Sequence, residues 1–284
     1  MNHQLSASWP VVLTIAGFDP SSGAGVAADL KTLAAHGCYG VAAITALTVQ
    51  NTQGVSAVYP TEPAVLKETI AALLADGRVK AIKVGMLASR AHAEVVNEVL
   101  ESSPQIPSVL DPVFRSSSGK DLADAECQEF LREQLIKRVY VVTPNFFEAS
   151  ALTGLRVENQ EAMKAAARKL VEMGARAVVV TGGHLDKAID VLADGSGLEV
   201  FVGDHAKPDN THGTGCTFSS AIAANLALGR QLRDAVVLAK AYVTEAIRKA
   251  YSVGPGCVPL NHFFRMTEPA RVADHSPATP EPAP

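Results

Sequence analysis

The chain reads as an α/β protein of three layers: a largely parallel central sheet, helices on both of its faces, and an antiparallel hairpin at one edge. Three observations predict this. Short β-rich runs alternate with longer stretches of helical spacing through most of the 284 residues, the signature of strand–helix–strand units around a parallel sheet. The first such run, Val11–Gly17 (VVLTIAG), is apolar almost throughout, as in a strand buried on both faces. Asp190–Ala193 and Leu198–Val202, joined by Asp194–Gly197, read as a hairpin, which only antiparallel strands form.

Along the chain, strand Val11–Gly17 runs into turn chemistry at Asp19–Gly23. A helix over Ala24–His36 carries Val26, Leu30 and Leu33 on one face and ends at Gly37, a residue free to take the left-handed conformation that closes a helix. Val41–Val49 is a second strand. Glu62–Ala75 is a helix with Val65, Leu66, Ile70 and Leu73 in register. Strand Val79–Val84, helix Ala91–Glu101 and strand Ser108–Asp111 follow. Phe114–Asp121 (FRSSSGKD) is small and polar and is expected to be a mobile flap. Helix Glu126–Leu135, strand Val139–Thr143, helix Glu161–Gly174 and strand Ala177–Thr181 lead to the hairpin, and Thr214–Leu228 and Leu232–Ser252 are the last long helices. Residues 1–266 are expected to form one domain. Residues 267–284 hold five of the sixteen prolines and almost no large apolar side chain, and are expected to be a disordered tail.

Composition narrows the function. Hydrophobic residues at 48%, charged residues at 19% and a mean hydropathy of +0.14 supply a sizeable core. A net charge of −4 weighs against nucleic acid or an anionic membrane as the main partner. No apolar run approaches membrane-spanning length, and the N-terminus lacks the basic and apolar regions of a secretory signal. The four cysteines, at 38, 127, 216 and 257, form no CxxC pair. The default expectation is a reducing, cytoplasmic setting with no structural zinc.

In open α/β sheets ligands bind beyond the carboxyl ends of the strands, and four clusters lie just after strands. Gly17–Gly25 (GFDPSSGAG) is a turn of small residues before a helix; it is either a tight strand–helix turn or a place where backbone approaches a ligand. His212–Cys216 (HGTGC) opens a helix, where free N–H groups and the positive end of the macrodipole suit an anion such as a phosphate in flight. Cys216, in the first turn of that helix, is either a thiol of lowered pKa or a core cysteine. Asn145 and Glu148 share a helix face, and their spacing suits either a metal–phosphate site or a capping box. Asp111 closes a strand, as a turn residue or as a Mg²⁺ ligand. Gln50 and Met86 also follow strands; an amide and a thioether suit the edge and face of a heteroaromatic ring. Thr181–His184 (TGGH) is another turn that exposes backbone.

Six ordered segments carry a resemblance: Gly17–Lys31, Ile44–Thr52, Lys83–Leu87 (KVGML), Val109–Val113 (VLDPV), Thr143–Glu148 (TPNFFE) and His212–Cys216, with Gly254–Gly256 and Asn261–Phe263 at the end. From about Val11 to Phe264 the chain resembles the hydroxymethylpyrimidine/phosphomethylpyrimidine kinases of thiamine biosynthesis, in the ribokinase-like superfamily. The resemblance implies a three-layer ribokinase-like fold, a homodimer, and transfer of phosphate from ATP-Mg²⁺ to 4-amino-5-hydroxymethyl-2-methylpyrimidine and then to its monophosphate. It places Gly17, Asp29, Gln50, Met86 and Val113 at the pyrimidine, and Asp111, Asn145 and Glu148 at the metal and phosphates, with Asp111 and Glu148 as metal ligands. Gly213 and Gly215 then form the anion hole, Thr181 and Thr214 join the nucleotide side, and Cys216 is the catalytic base.

Three positions depart from or qualify the pattern. Phe18 stands where a small or hydroxyl residue is common. Thr181 stands where many relatives carry Lys, so a phosphate-binding cation is absent or comes from Lys120 or Lys187. The flap has no cysteine, unlike some pyridoxal kinases of similar sequence, and this, with Gln50, favours the pyrimidine over pyridoxal. A non-catalytic binding protein is the reading of another class; the presence of Gly213, Gly215, Asp111 and Glu148 weighs against it.

Overall fold

The computed structural model describes residues 9–116, 119–183, 187–208 and 210–266. Segment 267–284, expected to be a disordered tail, lies outside them, as do His184 and two serines of the expected flap. In chain order the elements are β1 (Val11–Phe18), α1 (Gly25–Ala35), β2 (Tyr39–Asn51), β3 (Gly54–Pro60), α2 (Pro63–Ala75), β4 (Val79–Val84), α3 (Arg90–Ser102), β5 (Ser108–Leu110), α4 (Ala125–Glu133), β6 (Val141–Val142), α5 (Phe146–Thr153), α6 (Gln160–Glu172), β7 (Ala177–Gly182), β8 (Ala188–Asp194), β9 (Gly197–Gly203), β10 (Thr211–His212), α7 (Thr214–Ala227), α8 (Leu232–Arg248) and β11 (Val258–Pro259).

Nine strands form one sheet in the order β3-β2-β1-β4-β5-β6-β7-β8-β9. The six from β2 to β7 in that order are parallel, and β3, β8 and β9 are antiparallel. The expected hairpin is β8–β9. The other edge carries an antiparallel strand that sequence reading did not assign: β3 folds back on β2 through Thr52-Gln53, with Asn51 opposite Gly54.

Alternation along β1 sorts the two faces. Leu13 and Ile15 point into a core shared with Ile70, Val96, Leu131 and Met163, on the side of α2 to α6. Val12 points into a second core with Leu33, Phe218, Ile222 and Tyr242, on the side of α1, α7 and α8. Two layers of helix therefore cover a sheet that is buried on both faces, as the apolar run predicts.

Some boundaries differ from expectation. Val139–Thr143 contributes only two residues of strand, and the last long helix ends at Arg248 rather than Ser252. The flap Phe114–Asp121 is anchored at its base: Phe114 is fully buried, and its carbonyl accepts from Leu122 N at 2.8 Å. Arg115 and Asp121 pair as an isolated bridge and as an ion pair of 2.8 Å, and Ser116 N donates to Lys120 O. Among the described residues, no helix is long and apolar enough to cross a membrane.

Candidate active site

Because β2, β1, β4, β5, β6 and β7 run parallel, their carboxyl ends share one edge of the sheet. Gln50 belongs to the end of β2 and Gly17 to that of β1; Met86 follows β4, Asp111 follows β5, Asn145 follows β6, and Thr181 lies near the end of β7. The edge thus has a Gln50–Gly17–Met86 half and an Asp111–Asn145–Thr181 half.

The two glycine turns meet between them. Gly213 caps α7 at φ +85°, and a Cβ there would collide with the Gly23 carbonyl oxygen, so only glycine lets these backbones touch. A Cβ on Gly215 would lie 3.6 Å from Asp111 Oδ1, which sets that carboxylate beside the first turn of α7. A Cβ on Gly17 would stand 2.8 Å from Met86 Sδ, so these two ring-side residues also adjoin. Thr211 and Thr214 hydroxyls lie 3.1 Å apart across the turn. Thr181 N donates to the Pro144 carbonyl, and Asn145 bridges Thr181, joining the two nucleotide-side segments. Val113 is half-buried after β5.

Asp19 organises the first turn. Its carboxylate accepts from Ser21 N and Oγ, Gly23 N and Ala24 N, and from His212 Nε2 at 3.0 Å. Burial works to raise its pKa, but the bonds from His212 and Ser21 outweigh it and hold the carboxyl below its ordinary value. His212 therefore ties the two turns together by side chain as well as backbone. Its Nε2 also lies 3.0 Å from Gln50 Nε2.

Beneath the site sits a charge cluster that sequence reading missed in part. Lys83, in β4, is completely buried and bonds both oxygens of Asp29 at 3.0 and 2.9 Å. Thr14 and Ser220 hydroxyls donate to the same carboxylate at 2.6 and 2.8 Å. Asp29, expected to line the pyrimidine site, is thus fully buried with both oxygens engaged, because a carboxylate without water must find its donors inside the fold. Burial lowers the pKa of Lys83, but Asp29, Cys216 and Asp111 outweigh burial and hold the ammonium charged. A lysine inside an apolar strand run, VKAIKV, was the available signal: such a charge requires a buried partner.

The expectation of a lowered thiol pKa at Cys216 is overturned. Burial, with the nearby Asp111 and Asp29 carboxylates, pushes the thiol up to about 12 against the pull of Lys83 and the Gly25 N–H. The helix terminus supplies only a fraction of a charge, and two carboxylates outweigh it. Asp111 and Glu148 are also pushed up, each first by burial; the Asp111 charge adds to the rise at Glu148. The capping box does form: Glu148 N donates to Asn145 Oδ1 at 3.0 Å, and Asn145 N to Glu148 Oε2 at 2.8 Å. The cap and a ligand role are compatible, since a carboxylate has lone pairs to spare.

A cavity of about 580 Å³ lies between the β2–β3 hairpin and the flap; Val49, Gln50, Gly54, Gly119 and Lys120 are among its lining residues. Lys120 therefore stands on the Gln50 side, whereas Lys187 is exposed just before β8.

A largely parallel sheet with helices on both faces, a glycine turn opening a helix, and two buried carboxyls just beyond the strand ends, Asp111 after β5 and Glu148 in the first turn of α5, define a phosphotransferase of the ribokinase-like class. The chain belongs to the phosphomethylpyrimidine kinase family, whose model matches residues 19–261. A hydroxymethylpyrimidine/phosphomethylpyrimidine kinase of Aquifex aeolicus is 45% identical over 248 residues, covering 87% of this chain and 97% of that protein. The crystal structure of a phosphomethylpyrimidine kinase from Clostridium difficile superposes with a TM-score of 0.74 at 40% identity, covering 84% of this chain and 99% of that one. The pyridoxal kinase of Staphylococcus aureus in complex with AMP-PCP and pyridoxal superposes with a TM-score of 0.82 at 35% identity, covering 91% and 96%.

Proposed function

We propose that this protein phosphorylates 4-amino-5-hydroxymethyl-2-methylpyrimidine and then its monophosphate, with ATP as donor, as a homodimer in the cytoplasm. The observation that carries the reading is the meeting of the two glycine turns. The Gly213 turn touches the Gly17–Gly25 turn, Gly17 adjoins Met86, and His212 reaches Gln50, and we take these residues with Val113 as the ring side of the site. Donor and acceptor halves then adjoin along one sheet edge, which is the positioning that phosphoryl transfer demands. The nucleotide complex of the pyridoxal kinase neighbour supports ATP.

Asp111 and Glu148 fit a magnesium ion. Both are buried carboxyls with raised pKa, a state that a divalent cation relieves. Among the described residues no group of three or more His, Cys, Asp or Glu is placed to hold a metal, and Mg²⁺ commonly takes one or two carboxylates and fills the rest with water and phosphate oxygen. Bound there, it would neutralise charge on the transferring phosphoryl group. Asn145, Thr181 and Thr214 would bond the nucleotide phosphates. Cys216 would stand next to the acceptor hydroxyl as a neutral thiol that orients it by a hydrogen bond; the hydroxyl proton would pass to an oxygen of the arriving phosphoryl group, while Lys83 and the turn N–H groups hold the local charge in balance. Leu47, Val49 and Tyr59 are exposed on adjacent strands, with Leu47 opposite Tyr59, and form the face on which we place the dimer contact.

Pyridoxal kinase is the competing reading, carried by the structural likeness to that enzyme. ATP turnover with the pyrimidine alcohol, its monophosphate and pyridoxal side by side tests the choice, and a preference for pyridoxal overturns it. Gln50→Met should weaken the pyrimidine by about 1–3 kcal/mol, the cost of a lost hydrogen bond and an unpaired group, and pyridoxal by less. Equal losses remove Gln50 from the role of reading the ring edge.

A further inference from the structure

We infer that His212 is a positioning residue for substrate specificity: it locks the side-chain amide of Gln50 in one orientation, carbonyl toward His212 and amine toward Thr48, so that the site selects a ring nitrogen with an exocyclic amine beside it. The inference rests on the pyrimidine reading above and adds to it the residue that sets how the ring edge is read.

Proton counting gives the orientation. His212 Nε2 lies 3.0 Å from Asp19 Oδ2 and 3.0 Å from Gln50 Nε2. The Asp19 carboxylate is ionised and already accepts four other bonds, so the hydrogen between it and His212 belongs to the imidazole. Nε2 is therefore a donor, and a Gln50 amine facing it would set donor against donor. A second conflict sits on the other side of the same amide. The Thr48 hydroxyl has one proton, yet it lies 3.0 Å from the Phe18 carbonyl and 3.1 Å from Gln50 Oε1, both acceptors. Rotating the Gln50 amide by half a turn removes the donor–donor contact and frees the Thr48 proton. Oε1 then shares the single His212 Nε2–H with Asp19 Oδ2 in a three-centre bond, Nε2 donates to Thr48, and Thr48 keeps its proton for Phe18. The oxygen and nitrogen of an amide are alike in shape, so the bonding network is what assigns them. The other tautomer, with Nε2 bare, sets its lone pair against the Asp19 oxygen and leaves the Thr48 conflict in place.

The imidazole cannot swing away to relax this arrangement. A Cβ on Gly23 would come 2.5 Å from His212 Cδ2, so the ring packs against the first glycine turn. The backbone is tied as well. β10 pairs Thr211 and His212 with Val258 and Pro259 of β11, and Cys257 N donates to Thr52 O at 2.7 Å. The segment before β11 thereby fixes the distance between His212 and the hairpin that carries Gln50.

With His212 and Thr48 served, Gln50 retains one N–H and one carbonyl lone pair, on a side chain that lines the 580 Å³ cavity. An aminopyrimidine offers the matching acceptor and donor side by side. A pyridine nitrogen without a neighbouring amine uses only the N–H. Losing the lock lets the amide turn either way and erodes this choice.

The test has two parts on the full-length protein. Nitrogen-15 imidazole NMR of the histidine-labelled protein should show His212 Nε2 protonated; a bare Nε2 overturns the inference without any substitution. Calorimetric binding then compares 4-amino-5-hydroxymethyl-2-methylpyrimidine with the same molecule lacking its amino group, without nucleotide. The wild-type protein should favour the amino ligand by about tenfold, the value of one well-made hydrogen bond. In His212→Leu that preference should fall to about twofold with little change for the desamino ligand, while His212→Gln, which keeps a donor, retains most of it. Gln50→Ala should lose the preference equally, and the double variant should lose no more. A full preference in His212→Leu alongside its loss in Gln50→Ala refutes the role of His212; a full preference in Gln50→Ala refutes the reading of the ring edge itself.

Discussion

Glu148 carries two roles that one substitution separates. Its carboxylate closes the capping box on Asn145 N, and in the proposed site it holds the metal. A glutamine keeps the oxygen that the cap needs and removes the charge. Because burial and Asp111 raise the pKa of Glu148 well above the usual range, its ionised form is a cost to the fold at neutral pH. Glu148→Gln should therefore melt at or above the wild-type temperature while turnover falls and the Mg²⁺ requirement rises; a variant that loses only stability shows the residue to be a cap. Cys216 is a similar case. With its thiol pushed up to about 12, it should resist iodoacetamide at pH 7–8, with labelling rising only above about pH 9, read by peptide mapping. Because a neutral thiol orients the acceptor without taking its proton, Cys216→Ala should lower kcat by less than about 10²-fold, the lower end of a general base's usual share, with ATP affinity little changed because the turn N–H groups remain. Near-wild-type kcat in this variant makes the cysteine a packing residue. The neighbours of Cys216 in sequence gave the helix start correctly; its pKa depends on Asp29, Lys83 and Asp111, which only the fold brings near.

The C-terminal strap shows what one element contributes. After α8 the chain returns over α1, placing His262 against Thr32 and Tyr242, with Nδ1 3.4 Å from Thr32 Oγ1 and 3.2 Å from the Tyr242 hydroxyl. Burial, with Lys31 and His36 facing it, lowers its pKa from 6.5 to about 4. The folded protein then binds this proton less readily than the unfolded chain. The stabilisation is complete above about pH 6.5 and is lost as pH falls from 6.5 through 4, to a total on the order of 3 kcal/mol. Melting temperature measured across that range should fall more steeply for the wild-type protein than for His262→Gln; parallel curves would show that His262 does not titrate with unfolding. Sequence reading identified the Asn261-His262-Phe263 segment but gave it no structural part, since its partners on α1 lie 230 positions away. Element types were legible where periodicity was local, as in α1 and α6. β3 was missed although Asn51–Gly54 is turn chemistry, because Ser56 and Ala57 dilute the strand signal of GVSAVYP.

The sheet as one object explains why the site was so largely readable. Residues as far apart as Gly17 and Thr181 come to one edge because the strands between them run parallel, and that rule needs only the order of strands and helices. What it cannot supply is the charge balance under the edge, or the way the sheet ends. At one end, β3 has a neighbour on one side only, and beside it Leu47, Val49 and Tyr59 are half or more exposed, at 50%, 53% and 62%. Successive residues of a strand point to opposite faces, so Leu47 and Val49 share one, and Tyr59 stands opposite Leu47 on the neighbouring strand. An apolar face at an open sheet edge is a liability unless something covers it, and the proposed dimer covers it with a second copy. Sedimentation at micromolar concentration should give twice the chain mass for the wild-type protein. Leu47→Glu with Tyr59→Lys places charge on the face without touching either core, and should give the single-chain mass with an unchanged circular dichroism spectrum. A wild-type protein that sediments as a monomer up to tens of micromolar, or a variant that stays dimeric, would remove this face from the assembly.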